Sequence, residues 1–136
     1  MKKMAIVCVD DEKIVLNSLK EQLRNNIDPA ISLEVAECGE DALEIIDELL
    51  EDGYEIPLII SDYLMPEMSG DELFSIIHER LPDTMMILLT GQATPEGIVS
   101  MESRYGLFKC IHKPWRESTL ILSIKSALSY YESNQI

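Results

Sequence analysis

Five short apolar segments recur along the chain, and each is followed by a longer segment in which apolar residues return every three or four positions. Continuous runs of branched apolar residues are typical of strands buried on both faces of a sheet, whereas an alternating run is typical of a strand with one buried face. The pattern predicts strands at residues 4–9, 32–36, 58–60, 85–89 and 107–112.

The segments after these strands have helical periodicity. A capping-box pattern at residues 69–72 starts the third helix. The fourth helix contains Gly97 and few apolar positions, so we expect it to be the least stable element. The apolar positions that define the five helices are Ile14, Val15, Leu19 and Leu23; Ala42, Leu43, Ile46, Leu49 and Leu50; Leu73, Phe74 and Ile77; Ile98, Val99 and Met101; and Leu120, Ile121, Ile124, Leu128 and Tyr131.

Strict alternation of strands and helices predicts the fold class. Parallel strands need crossover connections, which are right-handed and place helices on both faces of the sheet. We therefore expect an α/β fold with a doubly wound, five-stranded parallel sheet and five helices. The length of 136 residues suits one domain over residues 1–136.

Composition is that of an ordinary soluble protein, with 46% hydrophobic and 26% charged residues. No apolar run approaches the roughly 20 residues that span a bilayer. The short apolar run after the first three residues ends at Asp10, which does not fit a signal peptide. These observations predict a cytoplasmic protein that does not enter a membrane.

The chain is strongly acidic, with 25 acidic and 11 basic side chains and a net charge of −14. Such a surface repels phosphate backbones, so we expect no direct binding of nucleic acid. The three cysteines, Cys8, Cys38 and Cys110, are widely spaced and form no C-x-x-C pattern. They support neither a disulfide framework nor a zinc site.

Polar residues follow four of the five predicted strands. Asp10 and Asp11 follow the first, Asp62 the third, Thr90 ends the fourth, and Lys113 follows the fifth. The carboxyl ends of parallel strands meet at one edge of the sheet, where ligands bind in open α/β folds. Taken alone, Asp62 would be interpreted as a residue that caps a turn, but the polar residues at the other strand ends predict a reactive site.

Three converging carboxylates repel one another unless a cation lies among them, and their hard oxygen atoms suit Mg²⁺. A carboxylate can act as a nucleophile and form an acyl phosphate, which is the role we predict for Asp62. Thr90 and Lys113 can donate hydrogen bonds to charged phosphoryl oxygens. Glu12 either supports this acidic site from its edge or merely starts the first helix.

The chain resembles the receiver domains of two-component response regulators along its whole length. The matching motifs are Asp10-Asp11, Asp62-x-x-Met65-Pro66-x-Met68-x-Gly70, Thr90-Gly91 and Lys113-Pro114. Each motif alone is weak, but all four occur in order and each lies at a strand end. The resemblance implies a flavodoxin-like sheet with strand order 2-1-3-4-5.

The resemblance also implies a role for each matching residue. Asp62 corresponds to the phosphoacceptor, Thr90 to the switch hydroxyl, and Lys113 to the lysine of the site, followed by a cis peptide bond to Pro114. The metal ligands correspond to Asp11 directly, Asp10 partly through water, Asp62, and the backbone carbonyl of Leu64.

The implied function is signalling by phosphorylation. A sensor histidine kinase or phosphotransfer protein would phosphorylate Asp62 with Mg²⁺ bound, and the new charge would switch an output surface formed by the fourth helix, fifth strand and fifth helix. The protein would catalyse only its own phosphorylation and dephosphorylation. The partners implied for this surface are a downstream output domain or a partner protein, and a second copy of the chain in a phosphorylation-dependent homodimer.

Some positions depart from the usual receiver pattern. Cys110 stands where most receivers have an aromatic residue that rotates inward on activation, so coupling must use other groups or be weaker. Leu64 and Gln92 occupy positions that tune hydrolysis of the acyl phosphate in this family. Because an apolar Leu64 cannot orient an attacking water, we expect a long-lived phosphoryl state.

Two alternatives belong to other functional classes. One is a receiver-like interaction module that works without phosphorylation; such modules usually lack part of the acidic site, the Thr or the Lys, and this chain has all of them. The other is a hydrolase that forms an aspartyl phosphate, in which a D-x-D motif follows the first strand. Here adjacent aspartates, Asp10 and Asp11, occupy that place.

Overall fold

A computed structural model describes residues 2–91 and 94–134 of the chain. The expectation for Gln92 falls outside these residues. The strands are β1 (Lys3–Val9), β2 (Ser32–Ala36), β3 (Tyr54–Ser61), β4 (Met85–Thr90) and β5 (Lys109–His112). The helices are α1 (Lys13–Asn26), α2 (Gly39–Glu51), α3 (Gly70–Arg80), α4 (Pro95–Tyr105) and α5 (Glu117–Ser133). Strands and helices alternate, as the sequence predicts.

The strands form one parallel sheet in the order β2-β1-β3-β4-β5, which confirms the expected fold class and strand order. Val9 at the end of β1 lies beside Ser61 at the end of β3. Asp10 and Asp62 each follow these paired residues, so the register alone brings the two carboxylates to the same level of the sheet edge.

Apolar side chains cover both faces of the sheet because successive strand residues point in opposite directions. In β1, Val7 and Val9 join a core cluster that includes residues of α2, α3 and α4. Ile6 and Cys8 join the opposite cluster, which includes residues of α1 and α5. Continuous apolar strands therefore reflect burial on both faces, as predicted.

Two strands begin two or more residues away from their predicted starts. β3 begins at Tyr54 instead of residue 58, because Tyr54 and Glu55 pair with the start of β1. β5 begins at Lys109 instead of residue 107. Leu107 is buried in the core just before the strand, so its apolar character reflects core packing and not pairing with a neighbouring strand.

The predicted apolar stripe of the first helix was partly wrong. Leu16, Leu19 and Leu23 are the buried positions of α1, whereas the Ile14 side chain is 83% exposed. Ile14 lies two positions from Leu16 and therefore points to nearly the opposite side of the helix. Val99 in α4 is also exposed, so it likewise does not belong to the core-facing stripe.

Helix α4 has well-defined ends but buries few of its side chains against the rest of the domain. The Thr94 side chain accepts a hydrogen bond from the Gly97 amide at 3.0 Å, Pro95 occupies the first turn, and Gly106 ends the helix in the left-handed conformation. Only Met101 and Tyr105 are buried among its described residues. Low stability of α4 stays a prediction.

Cys8, Cys38 and Cys110 are free cysteines. Burial raises the pKa of the Cys8 thiol to about 12, so this residue acts as an unreactive part of the core. Within the described residues, no helix combines the length and hydrophobicity needed to cross a bilayer.

Candidate functional site

The backbone holds three of the predicted site residues at the carboxyl edge of the sheet. The Asp10 amide donates to the Ala36 carbonyl at 3.1 Å, the Asp62 amide to the Val9 carbonyl at 3.1 Å, and the Lys113 amide to the Thr90 carbonyl at 3.0 Å. These bonds continue the contacts between neighbouring strands by one residue. Each side chain therefore starts from a rigid point of the fold.

The Lys113 ammonium lies between two buried carboxylates. Its Nζ donates to Asp10 Oδ2 at 2.7 Å and to Asp62 Oδ2 at 3.0 Å, and it lies 3.7 Å from Glu12 Oε1. Asp10 is 1% exposed and Asp62 is 7% exposed. One cation thus compensates two carboxylates that would otherwise repel each other at low solvent access.

Protonation in the site reflects this competition between burial and pairing. Burial raises the pKa of Asp10, and this effect exceeds the lowering caused by Lys113 and by the amide of Glu12. Burial alone would lower the pKa of Lys113, but its hydrogen bonds and attraction to Asp10 and Asp62 outweigh burial and raise that pKa. Lys113 is therefore firmly charged at neutral pH.

The second oxygen of each buried carboxylate accepts a backbone amide. Glu12 N donates to Asp10 Oδ1 at 2.9 Å, and Tyr63 N donates to Asp62 Oδ1 at 2.7 Å. Together with Lys113, these bonds fix the plane of each carboxyl group. The Asp62 carboxylate is consequently pre-oriented at the edge of the sheet instead of free to rotate.

Four carboxylates are close enough to share one ion. Oxygen atoms of Asp10, Asp11, Glu12 and Asp62 all lie within 4.8 Å of one another. Asp10 and Asp62 are buried, and Asp11 and Glu12 are exposed. An all-oxygen donor set fits a hard divalent cation such as Mg²⁺. Glu12 lies at the N-terminal cap position of α1, and its carboxylate is part of this group.

A cavity of about 260 Å³ opens beside the acidic group. Its lining residues are Asp11, Glu12, Asp62, Leu64, Thr90, Gly91 and Lys113. Leu64 is 49% exposed and Thr90 is buried at 1% exposure. The tertiary structure therefore brings every predicted site residue to one place, with Asp10 bonded to Lys113 beside the cavity.

Comparison with known proteins identifies the family. A family model described as the response regulator receiver domain matches residues 6–125. The chain belongs to the response regulator receiver domain family. Receiver domains are signalling modules of two-component systems and not classical enzymes, and an acidic pocket with phosphorylation and Mg²⁺ is general for the family.

Relatives and solved structures agree with this assignment. The hydrogenase transcriptional regulatory protein HoxA of Bradyrhizobium diazoefficiens is 27% identical over 126 residues, which cover 93% of this chain and 24% of HoxA. The chain spans about a quarter of the length of the first curated relatives that it matches.

Two solved receiver domains have closely similar backbones. The signal receiver domain of an HD domain-containing protein from Pseudomonas fluorescens Pf-5 has a TM-score of 0.85 at 27% identity, with coverage of 99% of this chain and 93% of that one. A CheY-like receiver domain from Methanospirillum hungatei JF-1 has a TM-score of 0.83 at 27% identity, with coverage of 96% and 98%.

The glycine of the third-strand motif has a steric reason in this receiver domain. The Gly70 amide donates to the Tyr63 carbonyl at 2.8 Å. A β-carbon at position 70 would overlap the carbonyl oxygen of Asp62 and lie 3.0 Å from the Tyr63 α-carbon. Glycine therefore allows α3 to start directly against the peptide of the predicted phosphoacceptor.

The structure bears on two further positions that the resemblance singles out. The Lys113–Pro114 peptide bond is cis, as the resemblance implied. Cys110 is half-buried on β5 and packs against the core cluster that includes α4. A small side chain thus occupies the position at which the resemblance leads us to expect an aromatic ring.

Proposed function

We propose that this receiver domain accepts a phosphoryl group on Asp62 from a sensor histidine kinase or a phosphotransfer protein. The observation that carries the proposal is the Asp62 carboxylate itself. It is fixed by Tyr63 N and Lys113 Nζ, and it lines an open cavity together with Thr90. Such pre-orientation lowers the entropic cost of attack on a donor phosphorus.

The covalent step is a phosphoryl transfer. An Asp62 oxygen forms a bond to phosphorus while the bond between phosphorus and the donor imidazole nitrogen breaks, and the electron pair of that bond stays on the imidazole. Lys113, which contacts Asp62 at 3.0 Å, neutralises the charge on the phosphoryl oxygens. The Thr90 hydroxyl is the second donor that we assign to these oxygens.

The acidic group is the proposed magnesium site. Asp11 would bind the ion directly, Asp10 partly through water, and Asp62 and the Leu64 carbonyl would complete the protein ligands. The distances among the carboxylates support this assignment. When bound, Mg²⁺ supplies positive charge that offsets the carboxylates and the phosphoryl oxygens. Glu12 is an additional candidate ligand because its carboxylate lies within the same group.

The proposed output surface consists of α4, β5 and α5. Within this surface, Val99 on α4 is 61% exposed, which leaves an apolar side chain available for contact with a partner. The occupant is an output domain, a partner protein or a second receiver domain in a phosphorylation-dependent homodimer. The net charge of −14 argues against direct contact of this segment with nucleic acid, and we propose a cytoplasmic location.

The test is the intact mass after incubation with acetyl phosphate, with and without Mg²⁺. Wild-type protein should gain about 80 Da only when Mg²⁺ is present, the mass of one phosphoryl group. Asp62→Asn should gain nothing, and Asp83→Asn, an exposed carboxylate elsewhere, should behave as wild type.

Each other outcome points to a different conclusion. No gain in a wild-type protein that still binds Mg²⁺ would favour the alternative of an interaction module that works without phosphorylation. A gain that persists in Asp62→Asn would show that another residue is the phosphoacceptor.

A further inference from the structure

Tyr63 is attached to the predicted phosphoacceptor through its own backbone. Its amide donates to Asp62 Oδ1 at 2.7 Å, the shorter of the two hydrogen bonds that the structure gives to the Asp62 carboxylate. Its carbonyl accepts the Gly70 amide at 2.8 Å, so the peptide is held on both sides. Any change in the charge or position of Asp62 Oδ1 therefore acts directly on Tyr63.

The side chain of the same residue reaches the first turn of α4. A β-carbon built on Gly97 would lie 3.1 Å from the Tyr63 hydroxyl oxygen and 3.6 Å from its ring carbon Cζ. The Gly97 amide is also the group that Thr94 caps. The Thr94 Oγ1 atom lies at the same distance of 3.1 Å from this β-carbon, so glycine at position 97 lets the hydroxyl groups of Tyr63 and Thr94 both approach the first turn of α4.

Helix α4 is suited to respond to such a contact. Only Met101 and Tyr105 are buried among its described residues, whereas α5 buries six. Elements with few buried apolar contacts move at low free-energy cost. On the neighbouring strand, Cys110 offers no ring that could transmit a change in the pocket to this helix.

From these contacts we infer that Tyr63 couples phosphorylation of Asp62 to the first turn of α4. The inference rests on the proposed function and deepens it, because it names the residue that carries the signal. Phosphorylation converts the Asp62 carboxylate, which carries one negative charge, into an acyl phosphate that carries close to two, so the site gains about one negative charge and this charge moves onto the phosphoryl oxygens. The Tyr63 amide then loses its carboxylate acceptor, its peptide shifts, and the rigid ring moves the start of α4.

The first experiment measures hydrogen–deuterium exchange across residues 94–105 before and after treatment with acetyl phosphate and Mg²⁺, with intact mass recorded on the same samples. Wild-type protein should change its exchange rates in this segment by about threefold or more on phosphorylation. Tyr63→Ala should reach the same extent of phosphorylation, yet change exchange less than about half as much. The control is Ile14→Ala, which removes an apolar side chain that is 83% exposed on α1, outside the output surface, and should respond as wild type.

The second experiment tests the contact itself in unphosphorylated protein. A methyl group at position 97 would crowd the Thr94 Oγ1 atom in both backgrounds, but it would crowd the Tyr63 hydroxyl only where that hydroxyl is present. The shift in melting temperature caused by Gly97→Ala should therefore be more favourable in a Tyr63→Phe background than in wild type. Equal shifts in both backgrounds would show that the two residues do not interact, and would overturn the inference.

The outcomes distinguish a failure of the inference about Tyr63 from a failure of the proposed function. If wild-type protein gains no phosphoryl group, the proposed function fails and the inference fails with it. If wild type is phosphorylated and Tyr63→Ala shows the full change in α4, phosphoryl acceptance stands and Tyr63 is not the coupling residue. If Tyr63→Ala phosphorylates normally and α4 responds weakly, the inference holds.

Discussion

Lys113 has the largest electrostatic role of any residue in the described site, because it is the shared partner of two buried carboxylates. Its side chain is 16% exposed, and the side chains of Asp10 and Asp62 are 1% and 10% exposed. Removal of the ammonium would leave two negative charges close together with little access to water. Such unpaired buried charges are costly, whereas exposed ion pairs contribute little.

Lys113→Met should therefore lower the free energy of unfolding of the metal-free protein by about 2–4 kcal/mol. The measurement is urea unfolding at neutral pH with a chelator present. Arg80→Met is the control, since the Arg80–Asp47 pair at 2.9 Å is exposed on both sides and should contribute less than about 0.5 kcal/mol. An equal loss in both variants would contradict this account of the pocket.

Leu64 governs the predicted lifetime of the phosphoryl group. Its apolar side chain lines the cavity and cannot orient a water molecule for attack on phosphorus. Leu64→Asn should shorten the half-life of the phosphorylated protein several-fold, as measured by loss of the added mass over time. Leu122→Asn, an exposed leucine outside the cavity, should leave the half-life unchanged. A wild-type half-life of only seconds would refute the predicted long-lived state.

At the scale of elements, the start of α3 is limited by its approach to β3. Gly70 and Gly39 both occupy the first helical position, in α3 and α2 respectively, and both are buried. A β-carbon at Gly70 meets the rigid backbone of Asp62 and Tyr63, whereas one at Gly39 meets the flexible side chain of Met68. The first position of α2 should therefore tolerate a larger side chain better than the first position of α3.

Gly70→Ala should lower the free energy of unfolding by about 2–3 kcal/mol and also reduce phosphorylation of Asp62, because α3 or the acceptor peptide must shift. Gly39→Ala should cost less than about 1 kcal/mol, since the Met68 side chain can rotate away. Urea unfolding and intact mass test both statements. The steric explanation would be wrong if the two substitutions had the same effect.

The end of α5 is attached to the start of β3 through Tyr131. Its hydroxyl donates to Glu55 Oε1 at 2.9 Å. Burial raises the pKa of Tyr131 to about 12, with a further contribution from the Glu55 carboxylate. The folded protein therefore keeps the phenolic proton in a pH range where the unfolded chain, with the ordinary pKa of 10.0, releases it.

The stabilising effect of this proton is complete below pH 10 and is lost as the pH rises from 10 to 12. Tyr131→Phe should cost about 1 kcal/mol at pH 7 through loss of the hydrogen bond. The difference in melting temperature between the two proteins should then shrink as the pH rises through this range. A constant difference would show that Tyr131 has no raised pKa.

At the scale of the whole molecule, a net charge of −14 means that acidic side chains repel one another and destabilise the folded protein, and bound or screening cations reduce this repulsion. Sodium chloride should raise the melting temperature by general screening. Mg²⁺ at the same ionic strength should add a further rise of roughly 5 °C through specific binding. Asp11→Asn should abolish only this magnesium-specific increment, and Asp52→Asn, an exposed aspartate remote from the pocket, should retain it.

Much of the fold follows from short-range patterns in the chain. Apolar runs predict the strands because strands buried on both faces need them, and the alternation with helices requires a parallel sheet. Polar residues directly after those runs must then meet at one edge. For these reasons Asp10, Asp62, Thr90 and Lys113 could be selected as site residues before any distance was known.

Other features depended on contacts between distant parts of the chain. The bond from Lys113 to Asp10 joins residues 103 positions apart, and no local pattern predicts that one ammonium bridges two carboxylates. The exposure of Ile14 and the space beside Gly97 for the Tyr63 hydroxyl have the same origin. The sequence by itself determined which residues come to the sheet edge, because periodicity and strand ends are local properties. Only the tertiary structure decided their partners and burial, because these depend on how separate elements pack against one another.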